Sequence, residues 1–308
     1  MRKASTPILF LLACALAAAQ QSPSQKQPGT TLKVDVKLVN VYVTVTDSHG
    51  APVAGLKKDN FNVFEDNRPQ TISVFDKESA LPLSIALAID TSLSTRRDLP
   101  LEQASAKRFA RDIMRPVDAL SVFGFNEAVS QSVSYTADIK RIDEGIDHIR
   151  LGAATALFDA VYLTSRSLDR RQGRKVLVLI TDGGDTISKV DYQQAARAAE
   201  EAEALVYSII VVPIESSAGR ETGGEHALIQ LSEDTGGKFY YASSVSQLDD
   251  AFRQISDELR TQYLLAYYPT PSMSYSQFRR IQVKINAPGD GSYQVRHRVG
   301  YYTTKSDF

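Results

Sequence analysis

The chain reads as an α/β domain, a mostly parallel sheet flanked by helices, inserted into a small β-sandwich that its N- and C-terminal strands form together. Three observations predict this. Nearly continuous apolar runs alternate with helical stretches between about residues 81 and 260. Period-two alternation of apolar and polar residues marks the segments on either side. Neither flank alone has enough strands to bury a sheet face, whereas together they supply roughly six, enough for a modest sandwich. With 308 residues, 43% of them hydrophobic and 23% charged, the chain has the apolar content of a folded protein.

The first element is not part of the fold. Arg2 and Lys3, the apolar run Ile8 to Leu12 and the small residues Ala17-Ala18-Ala19 read as an export signal over 1–19, with the mature chain starting at Gln20. Leu11-Leu12-Ala13-Cys14 offers a rival reading, a lipoprotein site that would anchor the chain through a lipidated Cys14. Cys14 is the only cysteine, so a disulfide framework is excluded and a thiolate zinc site is not expected. Residues 20–31, QQSPSQKQPGTT, lack any large apolar side chain and read as a flexible tether. No later stretch approaches the roughly 20 apolar residues of a membrane-spanning helix.

The N-terminal half of the sandwich is expected over 32–80. Val34, Val36 and Leu38 share one parity and Val39, Val41, Val43 and Val45 the other, which predicts a β-bulge or a crossing between sheets near Asn40. Asp47-Ser48-His49-Gly50 supplies a turn, and Phe61 to Glu65 and Thr71 to Phe75 read as short strands separated by Asp66-Asn67-Arg68-Pro69. From Leu83 the pattern changes. SIALAID, ALSVFGF, KVLVLIT and ALVYSIIVV read as strands buried on both faces. Leu157, Val161, Thr164 and Leu168 recur at helical spacing, as do Val245, Leu248, Phe252, Ile255 and Leu259. After about Arg260 the alternation returns in Tyr263 to Tyr267, in Ile281, Val283 and Ile285, and in a run from Tyr293 through Val295 and Val299 to Tyr301, giving the second half of the sandwich over 261–308.

Open α/β sheets bind ligands beyond the carboxyl ends of their strands, where strand order reverses. Oxygen-bearing residues follow predicted strands at that end: Asp90-Thr91-Ser92-Leu93-Ser94 after SIALAI, and Thr181-Asp182-Gly183-Gly184 after VLVLI. Thr155 lies between them, in a loop that leads into a helix. Two carboxylates and three hydroxyls, Asp90, Ser92, Ser94, Thr155 and Asp182, form a hard donor set suited to Mg2+, Mn2+ or Ca2+ and poor for zinc or copper.

Asp-x-Ser-x-Ser followed by a threonine and an aspartate resembles the metal-ion-dependent adhesion site of von Willebrand factor type A domains. The resemblance covers about residues 83 to 260. The flanks, GAPVAGLKKDNFNVFED before and QYLLAYYP after, resemble a bacterial, notably acidobacterial, branch of that family. It implies that Ser92, Ser94 and Thr155 contact the ion directly, that Asp90 and Asp182 act partly through water, and that a partner's acidic side chain completes the shell. An exported, cation-dependent adhesion or assembly module of the secreted, periplasmic or envelope space follows as the expected function. Family members that switch affinity slide the last helix, here about Ser244 to Arg260; a fixed, packed helix is the simpler expectation where no second state is demonstrated.

Other classes lack their residues. Near-equal numbers of basic and acidic residues, 35 and 36, argue against nucleic-acid binding. HExxH, GxSxG, GxxxxGK and GxGxxG are absent, and His49, His148, His226 and His297 fall in different elements. Two alternatives to the binding module stand: a structural subunit of an envelope or secretion assembly with a stabilising ion, and metal-assisted hydrolysis at Asp90 and Asp182. The aromatic strands carrying Tyr263, Tyr267, Tyr268, Tyr301 and Tyr302 are expected to pack the sandwich.

Overall fold

The computed structural model describes residues 38–77, 81–212, 222–269, 277–286 and 293–303. The expected export signal, the Cys14 anchor, the tether and the alternation of 32–37 lie outside the described residues.

Strand β1 (Val39–Thr46) shows why the N-terminal pattern is apolar at consecutive positions. Val39, Val41, Val43 and Val45 face the sandwich core, while Tyr42 on the opposite face belongs to the core of the α/β domain. A strand buried on both sides carries apolar residues at both parities without changing register. The bulge expected near Asn40 is therefore absent: Val39 to Val43 pair one to one with Tyr267 to Tyr263.

The turn after β1 forms as its residues require, with Asp47 Oδ1 accepting the His49 and Ala51 amides at 2.8 and 2.9 Å. Strand β2 (Phe61–Glu65) then reverses through Asp66 and Asn67, both at positive φ, into β3 (Arg68–Gln70). Arg68 and Pro69, expected to separate two strands, thus form an edge strand, where proline's missing N–H is harmless. The strand expected over Thr71 to Phe75 lies later, as β4 (Val74–Lys77).

The α/β domain follows as β5 (Leu83–Asp90), α1 (Leu99–Ile113), β6 (Ala119–Phe125), β7 (Val129–Thr136), α2 (Ile139–Asp147), α3 (Leu157–Asp169), β8 (Arg174–Thr181), α4 (Tyr192–Glu201), β9 (Ala204–Val211), α5 (Thr222–Thr235), β10 (Lys238–Ala242) and α6 (Val245–Thr261). Its sheet has the order β10-β9-β8-β5-β6-β7, parallel except for β7. The order reverses at β5, which lies between β8 and β6. All eight residues of β5 are buried. Ile85, Leu87 and Ile89 pack towards α1, α2 and α6, and Ala86 and Ala88 towards α3, α4 and α5.

The chain returns to the sandwich through β11 (Tyr263–Tyr267), β12 (Phe278–Ile285), β13 (Gln294–Arg296) and β14 (Gly300–Tyr302). Its two sheets have the orders β13-β1-β11-β4 and β14-β12-β2-β3. The alternating run from Tyr293 to Tyr301 is thus two strands in different sheets, and the crossing between sheets expected at Asn40 occurs at 297–299 instead.

One residue, Gln262, separates α6 from β11. Buried Arg174 donates to Leu259 O and Gln262 Oε1, both at 2.7 Å, and Gln262 Nε2 donates to Thr44 Oγ1 at 3.0 Å. The carboxyl end of α6 is thereby tied to β8 and β1 together. Inside the sandwich, buried Glu65 pairs with Arg279 and accepts the Tyr267 and Tyr301 hydroxyls at 2.8 Å each. Glu65→Leu removes the carboxylate that neutralises buried Arg279 and is expected to lower the unfolding free energy by about 3–5 kcal/mol, with Glu65→Leu/Arg279→Leu recovering most of it. Urea denaturation of the single and double variants checks this.

Candidate metal centre

The loop after β5 is organised by the residue that ends the strand. Asp90, wholly buried, accepts the Ser92 amide on Oδ1 at 2.9 Å and the Thr181 hydroxyl on Oδ2 at 2.7 Å. The first bond closes an Asx-type turn; the second ties the ends of neighbouring strands β5 and β8. Thr95 Oγ1 lies 3.1 Å from Asp90 O and 3.0 Å from Ser92 O, and this contact folds the loop back into a short 3-10 turn. The Ser92 and Ser94 hydroxyl oxygens stand 2.9 Å apart.

Thr155 reaches the same end of the sheet by a different route. Asn126 donates to Thr91 Oγ1 at 3.1 Å and to Arg150 O at 3.0 Å, and the Gly152 amide donates to Thr91 O at 2.8 Å. A β-carbon on Gly152 would lie within 2.5 Å of Asn126 and Glu127 side-chain atoms, so this close approach needs glycine. The Thr155 backbone is bonded to Thr186 in both directions: its N–H donates to Thr186 Oγ1 at 2.9 Å and its carbonyl accepts the Thr186 amide at 2.8 Å. Neither bond uses the Thr155 hydroxyl. Asp185 Oδ1 accepts the Leu157 amide at 2.8 Å and so caps α3 from the loop after β8. Asp182 directly follows Thr181, and Gly183 turns the chain away at φ 91°.

The loops carrying the five predicted residues are thus bonded to one another at the carboxyl end of the sheet. Asp90, Ser92 and Thr155 are buried, Asp182 is half-buried and Ser94 is exposed, so the cluster has a closed floor and an open lip. Burial, with a smaller contribution from the Asp182 charge, pushes the Asp90 carboxyl up to about 6 against the hydrogen bonds from Ser92 and Thr181. Among the described residues no three His, Cys, Asp or Glu side chains gather as metal ligands, so an ion here depends on the hydroxyls.

Sequence reasoning missed Glu102. It sits on the buried stripe of α1 with Leu99, Ala106 and Phe109, 2% exposed, and neither carboxylate oxygen has a hydrogen-bond partner. Burial first, then the charges of Asp90, Asp98 and Asp182, push its carboxyl up to about 8. A charged residue at a core position of a helix was the available signal. The other buried acids of the described chain are treated differently: Glu65 has Arg279, Asp118 has Arg115 and Glu258 has Arg296. Asp90 is held by an amide and a hydroxyl, and Glu102 by nothing.

A parallel sheet between two helical layers, with linked hydroxyl- and carboxylate-bearing loops where its strand order reverses, defines a Rossmann-type domain with a loop-built site. A family profile described as von Willebrand factor type A domain matches residues 84–254, and the chain belongs to that family. A search of curated proteins gives no match. Among solved structures, a von Willebrand factor type A protein from Catenulispora acidiphila superposes with TM-score 0.51 at 12% identity, covering 86% of this chain and 74% of that one. BatB from Bacteroides thetaiotaomicron gives 0.48 at 18% identity over 58% of this chain and 100% of its own. The vWF domain of the type V pili tip protein Mfa5 from Porphyromonas gingivalis gives 0.47 at 11% identity, over 58% and 95%.

Asp90 and Glu102 both titrate above the ordinary carboxylate values of 3.8 and 4.5, so the folded state binds more protons than the unfolded one. Their contribution to stability is full below those values and is lost as pH rises through about 6 and then about 8. In chelator, the melting temperature should fall across that window, and Glu102→Gln should flatten its upper part. Thermal unfolding in a pH series reads both effects.

Proposed function

We propose that this chain is an exported protein-binding module of the adhesion or assembly type, in which Asp90, Ser92, Ser94, Thr155 and Asp182 hold a divalent cation, Mg2+ first among the hard ions. The observation that carries this reading is the contrast among buried acids: where the fold needs a carboxylate for structure it supplies an arginine, and at Asp90 it supplies none. When bound, the ion supplies an electrophilic position that an acidic side chain of a partner can occupy. The chain's own part is to hold the oxygens at fixed positions. Asp90 and Asp182 provide the charge, the serine pair and Thr155 provide neutral donors, and the open lip at Ser94 leaves an approach for the partner. Two protein carboxylates balance a dication only formally, which favours a third, external one.

Export rests on the sequence of residues 1–19 and on a chain without thiols once Cys14 is removed. A structural subunit with a purely stabilising ion shares the metal but not the partner's acid, so the two readings separate experimentally.

Magnesium at about 100 times its Kd should stabilise the wild-type protein by about 2.7 kcal/mol. Asp90→Ala should abolish that response and Thr155→Ala should weaken it. Equal melting temperatures in magnesium and chelator would overturn the metal reading. Capture of an envelope protein that needs magnesium, and that is lost when the captured protein's acidic contact is replaced by its amide, separates adhesion from a stabilising ion. N-terminal sequencing of the exported protein is expected to begin at Gln20.

A further inference from the structure

Beside the candidate metal centre, α1, the ends of β9 and β10, and the start of α6 enclose a cleft of about 650 Å3. Ser94 lines one end of it, so it opens next to the lip of the metal cluster. Leu101, Val211 and Leu248 give it apolar walls, and Asp98 and Glu102 are the acidic residues that line it. We propose that this cleft is a recognition pocket for a guanidinium-bearing side chain, an arginine presented by a protein partner, with Glu102 as its anchor.

Glu102 is the observation that points to a ligand. Its side chain is almost wholly buried, it lines the cleft, and both oxygens lack a donor. A buried carboxylate with no partner is unfavourable, and three of the other buried acids among the described residues, Glu65, Asp118 and Glu258, show what relieves it: an arginine. Two free oxygens on one carboxylate match the parallel N–H groups of a guanidinium, which an ammonium cannot reproduce. The apolar walls suit the methylene stem that carries such a group. Charge favours it as well: Asp98 lines the cleft, and Asp90 and Asp182 are near enough to add to the field at Glu102. Arg97 also lines the cleft, but its side chain is exposed and makes no hydrogen bond to Glu102. The pocket does not need a metal ion, so it stands or falls separately from the function proposed above.

The probes are N-acetyl-arginine amide and its neutral isostere N-acetyl-citrulline amide, titrated by calorimetry into the whole protein in chelator. A pH above about 8 keeps Glu102 ionised without a ligand. The arginine probe is expected to bind saturably and roughly tenfold or more tighter than the citrulline probe. Its amide chemical-shift changes should map to Leu101, Val211 and Leu248. Glu102→Gln, which removes an uncompensated buried charge and keeps the shape, should remain folded by circular dichroism and reduce the arginine probe to the level of citrulline. Equal binding of the two probes, no saturation into the millimolar range, or arginine binding unchanged in Glu102→Gln would each overturn the proposal. The comparison of probes on the wild-type protein decides the matter even if the variant fails to fold.

Discussion

A carboxylate at the end of a strand buried on both faces is the constraint on which the functional end of this molecule depends. Asp90 terminates β5, where no water can reach it and where the sheet order reverses. Its two oxygens must be satisfied by what the backbone brings there, and they are satisfied by the next loop, through the Ser92 amide, and by the neighbouring strand, through Thr181. Each of these bonds also fixes geometry: the first turns Ser92 and Ser94 to the same side, the second fixes where the chain enters Asp182. Thr91, the next residue, holds the loop that delivers Thr155 through its carbonyl and through Asn126. Residues separated by about half the domain are thus placed by bonds to two consecutive buried residues, Asp90 and Thr91.

The sandwich bears on that end through α6. Within the family the last helix slides in members that switch, and here its carboxyl end carries a buried guanidinium bonded to Leu259 O and Gln262, with Gln262 bonded on to Thr44. Glu258 adds Arg296 of β13. A slide by one turn, about 5.4 Å, would break all of these at once. Hydrogen bonds involving charged groups contribute about 1.5–3 kcal/mol each, so a slide that broke them without replacement would be costly. Phe252, stacked 4.5 Å from Phe109 of α1, pins the middle of the helix. These contacts hold both the middle and the carboxyl end of α6, whose start gives one wall of the cleft beside Ser94.

How much of this was legible depends on what each residue's environment demands of its side chain. The central strands were readable because burial on both faces leaves no choice but apolar residues. Edge strand β7 was missed because VSQSVSYT buries only Val133 among its eight residues, and β10, five residues long, is too short for periodicity to register. Alternation reports which side of a strand is wet and says nothing about which sheet the strand joins. The run ending at Tyr301 therefore hid the crossing at 297–299, where His297 Nε2 accepts the Val283 amide and the Val299 amide bonds to Asp234 O, outside either sheet. The parity change at Leu38 and Val39 misled for the converse reason, since β1 packs against two cores. That the loops carrying the five oxygen-bearing residues meet was legible because strand ends restrict their places. Glu102 was legible only as an anomaly, a charge on an apolar stripe.

That anomaly matters because it shares its cause with the site. A fold that needed rigidity alone could have held these loops with an internal arginine, as it holds Glu65 with Arg279 and two tyrosines. Such a salt bridge would have neutralised Asp90 permanently. Amides and hydroxyls hold the carboxylate in place without neutralising it, so its orientation is fixed while its charge remains available. The folded state is less stable as a result, by the work of keeping two acids buried without counter-charge, and their raised proton affinities express that work. Two acids buried without counter-charge at one end of the sheet are the feature that supports the proposed binding of a positive group there.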